Sequence, residues 1–192
     1  MAGLYCDFLA QHEQTTPNML GAILKQLINR GEIPEHVKQA FKKAKSSSSY
    51  LRPRLPDLLE LIKVTVASLP QVFICIDALD EMLPKHRLDF LRSLKSIVQV
   101  SPNTRVFLTG RAMVLQEIKE HFAGAVMVPI SPTKEDVETF LVTKLEGDTE
   151  PNAMDDDLRT DIMRVIPEKH SEMRVGYSSA PFRSRIFANA VV

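Results

Sequence analysis

Tryptophan is absent from the 192 residues, and cysteine occurs twice, at Cys6 and Cys75. Two cysteines make no disulfide framework. Each falls in an apolar, strand-like run, so both read as small buried residues of a chain in a reducing compartment, with the cytoplasm as the expected location. Cysteine and histidine recur at no metal-ligand spacing. An excess of either charge is lacking too: 24 Lys and Arg balance 24 Asp and Glu. That balance removes any electrostatic argument for nucleic acid or an acidic membrane surface as a partner. No apolar run approaches the roughly 20 residues of a membrane-spanning helix. No basic-then-apolar leader opens the chain, and neither internal repeats nor sustained heptads occur. What is present is ordinary globular composition, 44% hydrophobic and 25% charged, in a length that suits one domain with a sizeable core.

The most informative stretch runs from Val72 to Glu81. Five apolar residues, mostly β-branched or aromatic, follow Pro70-Gln71 and end at Asp77, with Asp80 and Glu81 just beyond. An unbroken run of this kind reads as a strand buried in a parallel sheet. A carboxylate at the C-terminal end of such a strand lies where open α/β sheets bind ligands. Asp77 could hold a Mg²⁺-bound water beside a nucleotide phosphate there, and Asp80 or Glu81 could polarise an attacking water. The same residues equally suit a core strand that ends in a solvated acidic turn.

Around this stretch, strands and helices alternate. Strands are expected near residues 3–9, 71–77, 104–109 and 125–130, with the Cys75 strand between the Cys6 and Phe107 strands. Helical spacing begins at Thr16-Pro17, continues through Leu20, Ile23, Leu24, Leu27 and Ile28, and stops at Gly31. A basic helix follows Pro34, and its Lys42–Lys45 end complements its own dipole. Leu55, Leu58, Leu59, Ile62 and Val66 mark a helix entering the acidic strand, and Leu88, Leu91, Leu94, Ile97 and Val98 one leaving it. Thr133 to Asp136 is a helix start with acids in its first turn. The pattern is βαβ, an α/β fold with a parallel sheet.

Tyr5-Cys6-Asp7-Phe8, then Ile76-Asp77-Ala78-Leu79-Asp80-Glu81, then Phe107-Leu108-Thr109-Gly110-Arg111 resemble successive strands of fungal NACHT-type signal-transducing NTPases. The nephrocystin-like N-terminal NACHT domain is the closest in look, and the resemblance spans about residues 4 to 172. It implies a three-layer parallel sheet of the P-loop NTPase type with C-terminal helices. It also implies Mg²⁺ with ATP or GTP as cofactors of the intact family. By this resemblance Asp77 is the Walker B magnesium acid, Asp80 and Glu81 orient the attacking water, and Arg111 senses the terminal phosphate. The domains expected are a partial NTPase core over residues 1–146, an acidic linker and the start of a helical region over 147–172, and an irregular tail over 173–192.

Two departures qualify the resemblance. No Gly-x-x-x-x-Gly-Lys-Ser/Thr run occurs, so the phosphate cradle, its lysine and its Mg²⁺-binding hydroxyl are missing. The central strand that carries that loop is expected to be absent as well, which would leave the Val126 segment without a neighbour. Residues after Met173 have no helical period and are expected to be poorly ordered. Two readings follow. One is a NACHT NTPase fragment that is not catalytic alone, with nucleotide binding weak or absent. The other is a non-catalytic scaffold derived from such a domain, acting through protein partners or self-association. A hydrolase built on Asp77 and His86 is a third, without a nucleophile elbow to support it.

Overall fold

The computed structural model describes residues 1–28, 33–46, 54–130, 132–147, 155–172 and 185–190. The chain divides into two compact units, Met1–Pro129 with Arg185–Val192, and Ile130–Ser184. The first unit thus includes a strand from near the far end of the sequence.

That first unit is built on a sheet containing β1 (Ala2–Tyr5), β2 (Val72–Asp77) and β3 (Thr104–Gly110). These three are parallel, with β2 in the middle as expected: Ala2 pairs with Ile74, and Phe73 with Arg105. Between them run α1 (Thr16–Ile28), α2 (Glu35–Ser46), α3 (Leu55–Ala67) and α4 (Pro84–Val100), and α5 (Leu115–His121) follows β3. The helix stop expected at Gly31 lies outside the described residues. Prolines sit in the first turns of α3 and α4, where their missing N–H costs nothing.

The sheet continues through β4 (Val126–Ile130) and β5 (Arg185–Ala190) in the order β1-β2-β3-β5-β4. β5 lies antiparallel to β3, with Thr109 opposite Phe187 and Gly110 opposite Ile186. The Val126 segment, expected to lack a neighbour, lies beside β5 in this order. Periodicity could not show this. β5 reads Arg-Ile-Phe-Ala-Asn-Ala, too mixed to announce a strand without β3 to pair against. Residues 173–184 lie outside the described residues.

Alternation along the strands shows which face the helices cover. Val72, Ile74, Ile76, Val106 and Leu108 are buried in one cluster with Leu20 and Ile23 of α1, Ile62 of α3, and Phe90 and Leu94 of α4. Phe73, Cys75, Asp77 and Phe107 point the other way and are only half-buried. Among the described residues, the helices of this unit thus pack on one face of the sheet, where three layers are expected. In the second unit, α6 (Lys134–Glu146) packs with α7 (Asp156–Glu172). The expected start of α6 is a capping box: Thr133 Oγ1 accepts from Asp136 N–H at 3.1 Å, and Thr133 N–H donates to Asp136 Oδ2 at 2.7 Å.

The outer edge of β1 is closed by side chains. Cys6 N–H donates inward to the Asp77 carbonyl at 2.9 Å, so by alternation Gly3 and Asp7 turn their backbone groups outward. Gln26 pairs its amide with both groups of Gly3, at 2.9 and 2.8 Å. Gln14 does the same for Asp7, accepting from its N–H at 3.2 Å and donating to its carbonyl. Each glutamine imitates one residue of a neighbouring strand and leaves less edge for another chain to pair with. Gln26→Ala, which removes two such bonds at a partly exposed site, should lower stability by about 1 kcal/mol, measured by urea denaturation.

Candidate functional site

Asp77, Asp80 and Glu81 come from the C-terminal end of β2, and Arg111 directly follows β3. After Asp77 the chain turns sharply. Ala78 adopts a left-handed conformation, φ 56° and ψ 45°, a strained backbone for a residue with a Cβ. The strain is compensated locally: Ala78 N–H donates to Thr109 Oγ1 at 3.0 Å, and Thr109 Oγ1 in turn donates to Asp77 Oδ1. Thr109 therefore ties the ends of the two strands together and orients the Asp77 carboxylate.

The turn delivers Asp80 and Glu81 on a short 3₁₀ turn, Leu79–Glu81. Both carboxylates are buried and both face Arg111. Arg111 Nε meets Asp80 Oδ2 at 2.5 Å, Nη2 meets Glu81 Oε1 at 2.9 Å, and the Arg111 backbone N–H donates to Asp80 Oδ1 at 3.0 Å. The arginine side chain itself is 46% exposed. Its pKa is raised above its usual value, first by the hydrogen bond to Asp80, so it remains charged. The four candidate residues thus converge. Asp80, Glu81 and Arg111 form one ion-paired cluster, and Asp77 is held beside it through Thr109.

Several residues essential to this arrangement were not picked out from the sequence. A Cβ on Gly110 would lie 2.8 Å from Val114 Cγ2 and 3.3 Å from Asp80 Oδ1, so only glycine lets the Asp80 loop approach β3. Arg87, buried in α4, grips Glu117 of α5 with Nε and Nη2 at 2.6 and 2.7 Å, and donates through Nη1 to the Met82 carbonyl at 3.0 Å. This bidentate pair braces the chain just after Glu81 against the helix after Arg111. One sequence signal pointed there: Arg87 shares the 87–91–94–98 line of an otherwise apolar helix face. His86, the alternative catalytic candidate, lies in the first turn of α4, where its carbonyl accepts from Thr16 Oγ1 at 2.9 Å.

Cys6 registers the charge of the site. Burial, followed by the negative charges of Asp77, Asp80 and Glu81, pushes its thiol pKa from 9.0 up to about 12. Beside Asp77 an open pocket of about 550 Å³ is lined by Tyr5, Cys75, Asp77, Phe107 and Thr109, with Gly3, Leu4 and Ile76. Asp77 and Thr109 are hard oxygen donors that suit Mg²⁺. Among the described residues no three ligating side chains cluster, so an ion here would take its remaining ligands from water and phosphate, a common Mg²⁺ arrangement.

A profile of the nephrocystin 3 N-terminal family matches residues 1–111, more than half of the chain. The chain belongs to the nephrocystin 3 N-terminal family. The matched stretch ends on Arg111, so all four candidate residues lie within it. Neither curated proteins nor solved structures give a match.

Two predictions test this geometry. Gly110→Ala forces its methyl against Val114 and should cost about 1–3 kcal/mol, measured by thermal or urea unfolding. For Cys6, the unfolded thiol loses its proton near pH 9 while the folded one keeps it to about 12. The contribution is intact below pH 9 and declines as pH rises through that window. The stability of the native chain relative to Cys6→Ala should therefore fall between pH 9 and 12 and stay constant below it.

Proposed function

We propose that this chain is the nucleotide-responsive part of a NACHT-type signalling NTPase, holding the acidic and phosphate-sensing side of the site and not hydrolysing nucleotide by itself. The observation that carries this reading is the convergence of Asp77, Asp80, Glu81 and Arg111 from two neighbouring strand ends within the family match. Asp77, oriented by Thr109, would hold Mg²⁺, which when bound neutralises charge on the phosphate oxygens. Asp80 and Glu81 would orient water. Arg111 has a half-exposed guanidinium, so it can exchange a carboxylate for a phosphate oxygen without leaving the site.

With no Gly-x-x-x-x-Gly-Lys-Ser/Thr run among the 192 residues, no backbone cradle or phosphate lysine accompanies these groups. Affinity for ATP or GTP is accordingly weak or absent. The two cysteines are free, in keeping with a reducing cytoplasm. No helix among the described residues is long and apolar enough to cross a membrane. The second reading, a non-catalytic scaffold that works through protein contacts, has one observation in its favour. β5 occupies the place beside β3 that the NACHT resemblance assigns to the strand carrying the phosphate loop.

Titration of the chain with fluorescent ATP and GTP plus Mg²⁺ should show no saturation at micromolar concentration. An added upstream strand with the missing loop should bring saturable binding that Asp77→Ala removes. Turnover should then appear, and Glu81→Gln should reduce it more than binding. Micromolar binding by the present chain, lost in Asp77→Ala, would show the loop to be dispensable. An extended chain that folds yet binds nothing would leave the scaffold reading alone.

A further inference from the structure

A charged side chain in a buried apolar row calls for a reason, and Arg87 is such a residue. Leu91, Leu94 and Val98 continue its line along α4 into the core. A leucine at 87 would extend that line without desolvating a guanidinium, yet the arginine is there and only 5% of its side chain is exposed. Its partners supply the reason. Nε and Nη2, one edge of the fork, meet Glu117 Oε2 and Oε1 at 2.6 and 2.7 Å, and Nη1 donates to the Met82 carbonyl at 3.0 Å.

Both partners adjoin the site. Met82 directly follows Glu81, where the 3₁₀ turn gives way to extended backbone at φ −77° and ψ 147°. It is 2% exposed, so its carbonyl needs a partner within the protein. Glu117 lies in the first turn of α5, which is reached from Arg111 through the short turn Ala112–Val114. One planar guanidinium therefore spans from the loop that carries the acids to the segment that follows the arginine, in directions that its own geometry fixes.

We propose that Arg87 is a positioning residue of the site. It sets the separation of the two loops at which Arg111 reaches Asp80 with its backbone N–H and Nε, and Glu81 with Nη2. With the fork removed the loops lose this brace, and the Arg111 contacts open more often. A lysine would keep the charge but present a single nitrogen, which cannot hold both acceptors in the same fixed directions. What Arg111 senses rests on the nucleotide reading proposed above; where Arg111 stands does not.

Residue-resolved hydrogen exchange by NMR on the full chain, without nucleotide, tests it. The reporters are the amide and Nε–H of Arg111, both bonded to Asp80. The references are the amides of Ile23 and Ile62, inside α1 and α3 and fully buried. Arg87→Met should speed exchange at Arg111 about tenfold or more relative to the references, and Arg87→Lys should do nearly the same. Glu117→Gln, at a side chain 25% exposed, should shift the ratio in the same direction, and together with Arg87→Lys it decides the matter should Arg87→Met not fold. Exchange that rises equally at Arg111, Ile23 and Ile62 would make Arg87 a general stabiliser and overturn the proposal. So would an Arg87→Lys chain that exchanges like the native one, since charge alone would then suffice. Either result leaves the nucleotide reading intact, and a failed nucleotide titration leaves the exchange ratios unchanged.

Discussion

Two buried carboxylates side by side are tolerable only beside a fixed cation, and Arg111 supplies it for Asp80 and Glu81. Much of the surrounding geometry follows from that requirement. The acids come from the loop after β2 and the arginine from the loop after β3, so the pairing holds neighbouring strand ends at one spacing. Gly110 has no side chain because Asp80 must reach past it. Arg87 and Glu117 repeat the arrangement one layer further out, between α4 and α5. Polar groups at this end of the sheet thus fall into separate bonded groups: Thr109 with Asp77, Arg111 with Asp80 and Glu81, and Arg87 with Glu117.

The central part of this arrangement was legible in the sequence. Five apolar residues ending on Asp77 specify a buried parallel strand and the end at which its acids emerge. Alternation and helical spacing likewise located β3, α3 and α4. The partners were not legible. Nothing in the order of residues says that Thr109 will donate to Asp77, or that Ala78 will take a left-handed turn that elsewhere would favour glycine. Those are properties of two segments some thirty residues apart brought together by register. β5 was hidden for the same reason, since its strand character depends on β3 and not on its own composition.

The parallel strands and β5 enter the sheet from opposite directions, and both meet at the site. Because β5 runs against β3, its first residues lie beside the last residues of β3, with Ile186 opposite Gly110. The C-terminal segment therefore reaches the sheet at the end that carries the acids. The sheet also has unlike edges and faces: the edge of β1 is closed by glutamine amides, and β2 and β3 bury one face in the helical core while Phe73, Cys75 and Phe107 on the other are half-buried.

Register also orders the folding of the chain. β2 and β3 are joined through α4, a compact βαβ unit whose partners are about thirty residues apart, whereas β1 to β2 and β3 to β5 join residues separated by roughly 70 or more. Loop-closure entropy and the contacts available to repay it both favour the middle of the sheet first. The nucleus is then β2, α4 and β3, the segment that already contains Asp77, Asp80, Glu81 and the start of the Arg111 loop. Substitutions there should slow folding, while those in β1 or β5 should chiefly hasten unfolding. The charged cluster would thus be assembled early, and the flanking strands would add to a sheet end whose polar groups are already paired.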